Sequence, residues 1–137
     1  MIDVAYPYFD TNLSWLSNNY RLLLEASDET VPAGERLRCL GLYAYQTKEF
    51  YRVRIPKLLA MREVSNDIRS KLNLYPQSLL EHVYETLDNQ LREFEDIFTG
   101  QLLPTLHEQG VHLYYQEDLN AEQATYAVKF FKDKLMK

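Results

Sequence analysis

Histidines are the first side chains to consider for chemistry, because imidazole serves both acid–base catalysis and metal binding. The chain has three of them, His82, His107 and His112. The stretch from His107 to His112 is similar to a zinc-protease motif, but it is one residue too long, and Gly110 interrupts the helix that must place both imidazoles on one face. No third ligand is evident. The sequence therefore predicts solvated surface histidines and no metal site.

No phosphate loop or catalytic nucleophile is recognisable elsewhere. The four glycines lack the spacing of a Walker motif; they are Gly34, Gly41, Gly100 and Gly110. Neither a serine nor the single cysteine, Cys39, lies in a nucleophile motif. Acidic pairs such as Glu81 with Glu85 have the spacing of a solvated helix face, whereas catalytic carboxylates need burial to separate their pKa values. We therefore expect no catalytic residue within this chain.

Basic residues concentrate in one segment and acidic residues in another. Residues 36–62 hold seven basic side chains and the single acid Glu49, while residues 81–122 hold ten acids and one arginine. Arg54 and Lys57 share a helix face by their spacing, and guanidinium donors match phosphate oxygens in pairs. The basic segment is therefore a candidate for phosphate contact. The alternative is ion pairing with the acidic third helix, or plain solvation.

Apolar residues recur three and four apart through most of the chain, which predicts an all-α fold. Thr11 or Asn12 is expected to cap the first helix. A polar break follows at residues 27–30. Pro32 is expected in the first turn of the second helix, where proline is tolerated, and Pro56 is expected to kink this helix by removing a backbone donor.

The third helix is expected to run from about Gln77 to Gly110, after a loop or frayed helix end from Ser65 to Tyr75. Its apolar stripe has near-heptad spacing and consists of Leu80, Val83, Leu87, Leu91, Phe94, Phe98 and Leu102. Val111 to Tyr115 is predicted to be extended. Asn120 and Gln123 have the spacing of a capping box for a last helix.

These elements predict a three-helix antiparallel up-and-down bundle, similar to a spectrin repeat, followed by a short extended segment and a C-terminal helix. Trp15 and Leu16 are expected to anchor the first helix to the other two. The bundle core is expected to cover about residues 9–110, and residues 111–137 are expected to lead toward the next domain.

Composition limits the functional classes. A net charge of −5 and a pI near 5.2 disfavour a general nucleic-acid binder. The single Cys39 cannot form an internal disulfide, which is typical of a reducing, cytoplasmic setting. No signal peptide is evident, and no apolar run approaches the roughly 20 residues that span a bilayer.

Several runs of residues, taken in order, carry a family resemblance. They are Leu13-Ser14-Trp15-Leu16 with Asn19-Tyr20-Arg21, then Leu24-Glu25-Ala26, Val31-Pro32, Glu35-Arg36-Leu37, Glu49-Phe50-Tyr51-Arg52-Val53-Arg54, and Leu102-Leu103-Pro104 with Gly110. Together they resemble the N-terminal domain of the polyphosphate kinase family. That family opens with Leu-Ser-Trp-Leu and Asn-x-Arg, and its second helix carries Asp-Glu-Phe-aromatic-x-Val-Arg. The resemblance covers nearly the whole chain.

The resemblance implies that residues 1–137 form a single helical N-terminal domain of a larger phosphotransferase. The family transfers the terminal phosphoryl group of ATP reversibly to polyphosphate, through a phosphorylated histidine in C-terminal domains outside this chain. The isolated fragment is therefore expected to be inactive and to hold no cofactor. ATP, magnesium, polyphosphate and homo-oligomerisation are expected for the complete enzyme, whose association with a membrane stays open.

The resemblance also implies one nucleotide-binding residue. In the family an asparagine just before the Asp-Glu-Phe segment contacts adenine, and Gln46 stands at that position with the same amide on a longer stem. Arg52 and Arg54 are expected to contact phosphate or neighbouring domains, and Lys48 replaces an acid of the family. The alternative is a divergent helical interaction module that kept the fold and lost the nucleotide contact.

Overall fold

The computed structural model describes residues 10–71 and 76–136, and every regular element within them is a helix, which confirms the all-α class. The elements are α1 (Thr11–Ser27), α2 (Ala33–Arg62), α3 (Asn66–Lys71), α4 (Pro76–Glu95), a π-helical segment (Asp96–Leu102), α5 (Leu103–Glu108), a 3-10 turn (Gln116–Asp118), α6 (Ala121–Phe130) and a second π-helical segment (Phe131–Leu135). None of these described helices combines the length and the apolar character that crossing a bilayer requires.

The cap of α1 differs from the prediction. The Asp10 carboxylate accepts the backbone N–H groups of Asn12 (2.8 Å) and Leu13 (3.2 Å), so Asp10 is the capping residue. Thr11 and Asn12 lie within the first helical turn instead. A carboxylate satisfies two backbone donors and also interacts favourably with the positive end of the helix dipole. The predicted caps were therefore wrong by one or two residues.

The polar break and the second helix follow the prediction closely. Asp28 accepts hydrogen bonds from the backbone and hydroxyl of Thr30 (2.9 and 2.7 Å), and this local turn replaces the helical hydrogen bonds after Ser27. Pro32 is the N-cap residue of α2, which then continues through Pro56 to Arg62. The kink at Pro56 stays a prediction.

Residues 65–75 were predicted to be a loop or a frayed helix end, but within them Asn66–Lys71 form a separate short helix, α3. Asp67 lies in its first turn, where a carboxylate stabilises the helix dipole. Residues 72–75 of that prediction lie outside the described residues.

Hydrogen bonds at the two ends of α1 and α2 establish their relative direction. Near the end of α2, Arg54 donates to Asn12 Oδ1 at the start of α1 (3.2 Å). Near the start of α2, Arg36 donates to the carbonyl of Ala26 at the end of α1 (2.6 Å). The two helices are therefore antiparallel.

The direction of α4 follows from two further contacts with α1. Gln90 donates to the Leu16 carbonyl (3.2 Å), and Tyr20 donates to Glu93 (2.9 Å), so both helices advance in the same direction. The three helices share one apolar core, which contains Leu16, Phe50, Ile55, Leu58, Leu80, Val83 and Leu87. The likeness of this arrangement to a spectrin repeat stays a prediction.

The chain divides into two compact units, Met1–Thr105 and Leu106–Lys137. The first contains the shared core of α1, α2 and α4. In the second, Gly110 has a φ of 80° and lets the backbone turn, so that Val111 N–H reaches the Leu106 carbonyl (2.8 Å) and Gly110 N–H reaches that of His107 (3.0 Å). This pair of bonds is a Schellman motif and explains why the helix ends here.

Beyond Gly110, residues 111–115 form no regular element, and Tyr115 is extended. The predicted capping box of the last helix is confirmed: Gln123 N–H donates to Asn120 Oδ1 (2.9 Å), and Asn120 N–H donates to Gln123 Oε1 (3.0 Å). Every residue of α6 is at least partly exposed to solvent.

Candidate functional site

Gln46, the predicted nucleotide-binding residue, lies near the middle of α2 and is partly buried. Its side chain makes no hydrogen bond to any residue that the structure describes. The next residue towards the N-terminus, Tyr45, is 63% exposed, and the next towards the C-terminus, Thr47, is buried. Gln46 therefore sits at the edge between the packed and solvated faces of α2, with an amide that has donors and an acceptor to spare.

The two predicted phosphate contacts differ in environment. Arg52 is exposed and forms an ion pair with Glu49 on its own helix (2.7 Å), which raises the pKa of the guanidinium. Arg54 is partly buried; its guanidinium carbon lies 5.8 Å from the centre of the Trp15 ring, and one of its amino groups donates to Asn12. Arg54 thus ties the end of α2 to the start of α1, while Arg52 faces solvent.

The alternative interpretation of the basic segment was ion pairing with the acidic third helix. Among the described residues, the ion pairs of this segment stay within α2: Arg38 with Glu35 and Arg52 with Glu49. Arg92 of α4 likewise pairs with Asp88 of the same helix. Pairs of this kind on exposed helix surfaces contribute little to stability, so these three ion pairs do not hold the helices together.

Four polar side chains that sequence reasoning missed form a connected layer inside the bundle. Asn19 of α1 donates to Thr47 Oγ1 of α2 (3.1 Å). Tyr43 of α2 donates to Gln90 Oε1 of α4 (3.3 Å), and the Gln90 amide in turn donates to the backbone of α1. All four are at least nine-tenths buried. Burial is also the main reason why the pKa of Tyr43 is raised, so its hydroxyl stays neutral.

One atom of this layer is unsatisfied. Asn19 is 1% exposed, and its Oδ1 is buried without a hydrogen-bond partner among the described residues. A buried acceptor without a donor is costly, and such atoms in native proteins call for an explanation. The sequence did contain a signal: Asn19 continues the stripe of Leu16, Leu23 and Ala26 on the buried face of α1.

One groove of the bundle lies away from Gln46. A groove of about 490 Å³ between α1 and α4 is lined by Leu13, Ser17, Tyr20, His82, Thr86, Asn89, Gln90 and Glu93. The Tyr20 hydroxyl bonds to Glu93 there, and this bond raises the pKa of Tyr20. None of the three predicted site residues lines this groove.

The histidines of the second unit pack against each other. The rings of His107 and His112 meet edge to face at 4.3 Å, and His112 stacks on Tyr114 at 6.0 Å. Within residues 10–71 and 76–136, no group of three or more histidine, cysteine, aspartate or glutamate side chains is arranged to hold a metal ion.

Comparison with known proteins connects this geometry to a family. The model of the "Polyphosphate kinase N-terminal domain" family matches residues 8–114. The chain belongs to that family. The match includes Asn19, Gln46, Arg52 and Arg54, and most of the second unit lies beyond it.

Individual polyphosphate kinases match over nearly the same region. The chain is 30% identical to the polyphosphate kinase of Lactiplantibacillus plantarum and 32% identical to that of Helicobacter pylori, each over 128 residues, or 93% of this chain. The crystal structure of polyphosphate kinase from Porphyromonas gingivalis matches with a TM-score of 0.76 and 31% identity over 96% of the chain. This polyphosphate kinase domain spans 18 to 19% of the length of those three proteins.

Proposed function

We propose that this domain is the N-terminal part of a polyphosphate kinase that transfers the terminal phosphoryl group of ATP reversibly to polyphosphate. The reaction proceeds through a phosphohistidine outside this chain, with magnesium bound to ATP in the complete enzyme. The names of the matched relatives support this assignment. In such reactions catalysis is mainly positioning and charge neutralisation around the transferred group.

Within that enzyme, the domain forms the adenine side of the ATP pocket through Gln46. The observation that carries this role is the state of the Gln46 side chain: an amide on the rim of α2, partly exposed, with no partner among the described residues. An amide offers both a donor and an acceptor, which is what the edge of a purine base requires. Arg52 is the better placed of the two arginines for a phosphate or an interdomain contact, because Arg54 is engaged with Trp15 and Asn12.

The domain also packs on other domains of its chain, and the second unit supplies apolar surface for this. The exposed apolar side chains of α6, of the helical segment after it and of its C-cap are Tyr126, Val128, Phe130, Phe131, Leu135 and Met136. Apolar surface of this kind is typical of a contact region. The same surface suits the alternative function, a helical interaction module without nucleotide contact.

Steady-state kinetics of the complete enzyme test the nucleotide role. Gln46→Ala removes one or two hydrogen bonds to the base, so we expect the KM for ATP to rise by up to about tenfold while kcat changes little. Gln109→Ala is the matched control, because Gln109 is an exposed glutamine in the other unit with no side-chain hydrogen bond among the described residues. The isolated chain should bind ATP weakly or undetectably, since one wall of a pocket does not offset the entropy of association.

An unchanged KM for ATP in Gln46→Ala would contradict the nucleotide role. An interaction module predicts that result together with loss of assembly when the helical segment after α6 is changed. Phe131→Ala combined with Leu135→Ala in a sedimentation experiment therefore separates the two functions.

A further inference from the structure

The unsatisfied Asn19 amide lies beside the predicted nucleotide contact. Asn19 donates to Thr47, the residue directly after Gln46 on α2. One turn earlier on α1, Trp15 packs on Phe50, with ring centres 5.1 Å apart. A side chain that packs between helices in this way enters a hole formed by residues i, i+3, i+4 and i+7 of its partner, here 43, 46, 47 and 50. In that packing pattern, Gln46 borders the position of Asn19.

The side-chain amides of Asn19 and Gln46 have complementary unsatisfied groups. Asn19 Oδ1 is a buried acceptor without a donor, and the Gln46 amide group has donors without acceptors among the described residues. They do not bond in this structure; a hydrogen bond between them requires a rotamer change of the partly exposed Gln46 side chain. Satisfying a buried acceptor gives that rotamer a favourable hydrogen bond.

We propose that Asn19 is a positioning residue for nucleotide selection, which holds the Gln46 amide in one orientation in the free protein in solution, before the base binds. The proposal rests on the nucleotide role proposed above. In this orientation one Nε2 proton of Gln46 donates a hydrogen bond to Asn19 Oδ1. The other Nε2 proton and the Oε1 atom of Gln46 then face outwards as a fixed donor–acceptor pair. The flipped amide is disfavoured because it sets two oxygens against each other.

A fixed orientation matters because a free amide does not distinguish adenine from guanine. Adenine presents an acceptor at N1 and a donor at its 6-amino group, whereas guanine presents an acceptor at O6 and a donor at N1. A freely flipping glutamine matches either base. Asn19 therefore converts Gln46 from a general purine contact into one that accepts only one of the two bases, and the proposed substrate, ATP, makes that base adenine.

Nucleotide competition in the complete enzyme tests the consequence. One hydrogen bond to Asn19 favours one orientation of the Gln46 amide over the flipped one by about tenfold. Loss of that bond lowers the fraction of molecules whose amide matches adenine from about nine-tenths to one half. We expect Asn19→Leu to raise the KM for ATP about twofold and to lower the KM for GTP about fivefold, with kcat unchanged, so that discrimination falls about tenfold. Asn19→Ala serves if the leucine variant is poorly folded, and Asn19→Asp, which keeps an oxygen at this position, should retain discrimination.

Thr47→Val is the matched control for stability. It removes the other hydrogen bond of the Asn19 amide without removing Oδ1. If Asn19 has a purely structural role, Thr47→Val and Asn19→Leu both reduce stability, and both leave the ratio of the KM for GTP to the KM for ATP as it is in the wild type. Equal discrimination in wild type, Thr47→Val and Asn19→Leu would overturn the proposal.

Side-chain NMR on the 137-residue chain separates this inference from the proposed function, because it needs no nucleotide. In the wild type one Nε2 proton of Gln46 should exchange with solvent about tenfold more slowly than those of Gln109, and Asn19→Leu should abolish the difference. Thr47→Val should preserve it. If Gln46 and Gln109 exchange equally in the wild type, Asn19 does not hold Gln46, whatever the kinetics of Gln46→Ala show about ATP.

Discussion

The helical bundle and the C-terminal helix use similar side chains in opposite ways. In the bundle, Leu16, Val83 and Leu87 are completely buried, whereas on and after α6 the aromatic residues Tyr126 and Phe131 are 69% and 53% exposed. Both regions have amphipathic helical sequences and well-formed caps. The difference shows that an apolar stripe promotes stability only where another helix of the same unit covers it.

The largest expected effect is on the bundle side of this comparison. Trp15 packs against Phe50 and carries the Arg54 guanidinium over its ring. Truncation of a large aromatic core residue costs about 3–5 kcal/mol, and we expect Trp15→Ala to lie near the lower end because the ring is partly exposed. Urea unfolding of the chain measures this, and an unchanged midpoint would mean that Trp15 does not anchor α1.

A smaller effect is expected from the buried polar layer. Tyr43→Phe removes the hydrogen bond to Gln90 and should cost about 0.5–1.5 kcal/mol at pH 7. Burial raises the pKa of Tyr43, so the unfolded chain releases this proton at lower pH than the folded chain does. This contribution is complete below the unfolded-state value of about 10 and is lost as the pH rises from there through the folded-state pKa.

Alkaline unfolding curves check the sign. Above about pH 10 the wild type should lose stability more steeply than Tyr43→Phe, which lacks the titrating group. Parallel curves for the two proteins would contradict the assignment of Tyr43 as a buried neutral hydroxyl.

The cap of α1 should contribute about as much as one hydrogen bond of the polar layer. Asp10→Ala removes the acceptor of two backbone N–H groups, and loss of such a cap costs about 1 kcal/mol. Asp10→Asn, which keeps a capping side chain, is the control and should lose only part of this. Equal losses in both variants would show that charge, rather than capping geometry, is responsible.

The smallest effect is expected on the C-terminal side. Phe131 is 53% exposed, so Phe131→Ala should change the unfolding free energy of the bundle by less than about 0.5 kcal/mol. The contrast with Trp15→Ala is the sharpest test of the comparison, since both variants remove an aromatic ring. A loss of 2 kcal/mol or more in Phe131→Ala would show that this ring is covered in the protein in solution.

Sequence reasoning succeeded where one local rule decides the outcome. The capping box of Asn120 and Gln123 and the turn at Gly110 need only neighbouring backbone, and both are present. The stripe Leu80, Val83 and Leu87 was predicted from spacing and is buried. Leu91 belongs to the same pattern but is 40% exposed. The spacing predicts which residues share a face of the helix, but it does not predict how much of that face a neighbouring helix covers.

The candidate site shows the same limit. Gln46 was identified by its place in a family motif, while Asn19, Thr47 and Gln90 were not recognised as a unit, since they lie on three helices far apart in the sequence. Arg52 and Arg54 are equivalent as residue types two positions apart. Their environments differ because a helix turns about 200° over two residues, which leaves one in solvent and brings the other against Trp15.

The sequence by itself determined the helical class, several helix boundaries and the family, because these depend on spacing and short motifs read along the chain. Tertiary structure alone decided which polar groups are buried, which cations are engaged, and which acceptor is left without a donor at Asn19. The physical reason is that burial and hydrogen-bond partners arise from contacts between helices, and the free energy of a polar group depends on what surrounds it rather than on its position in the chain.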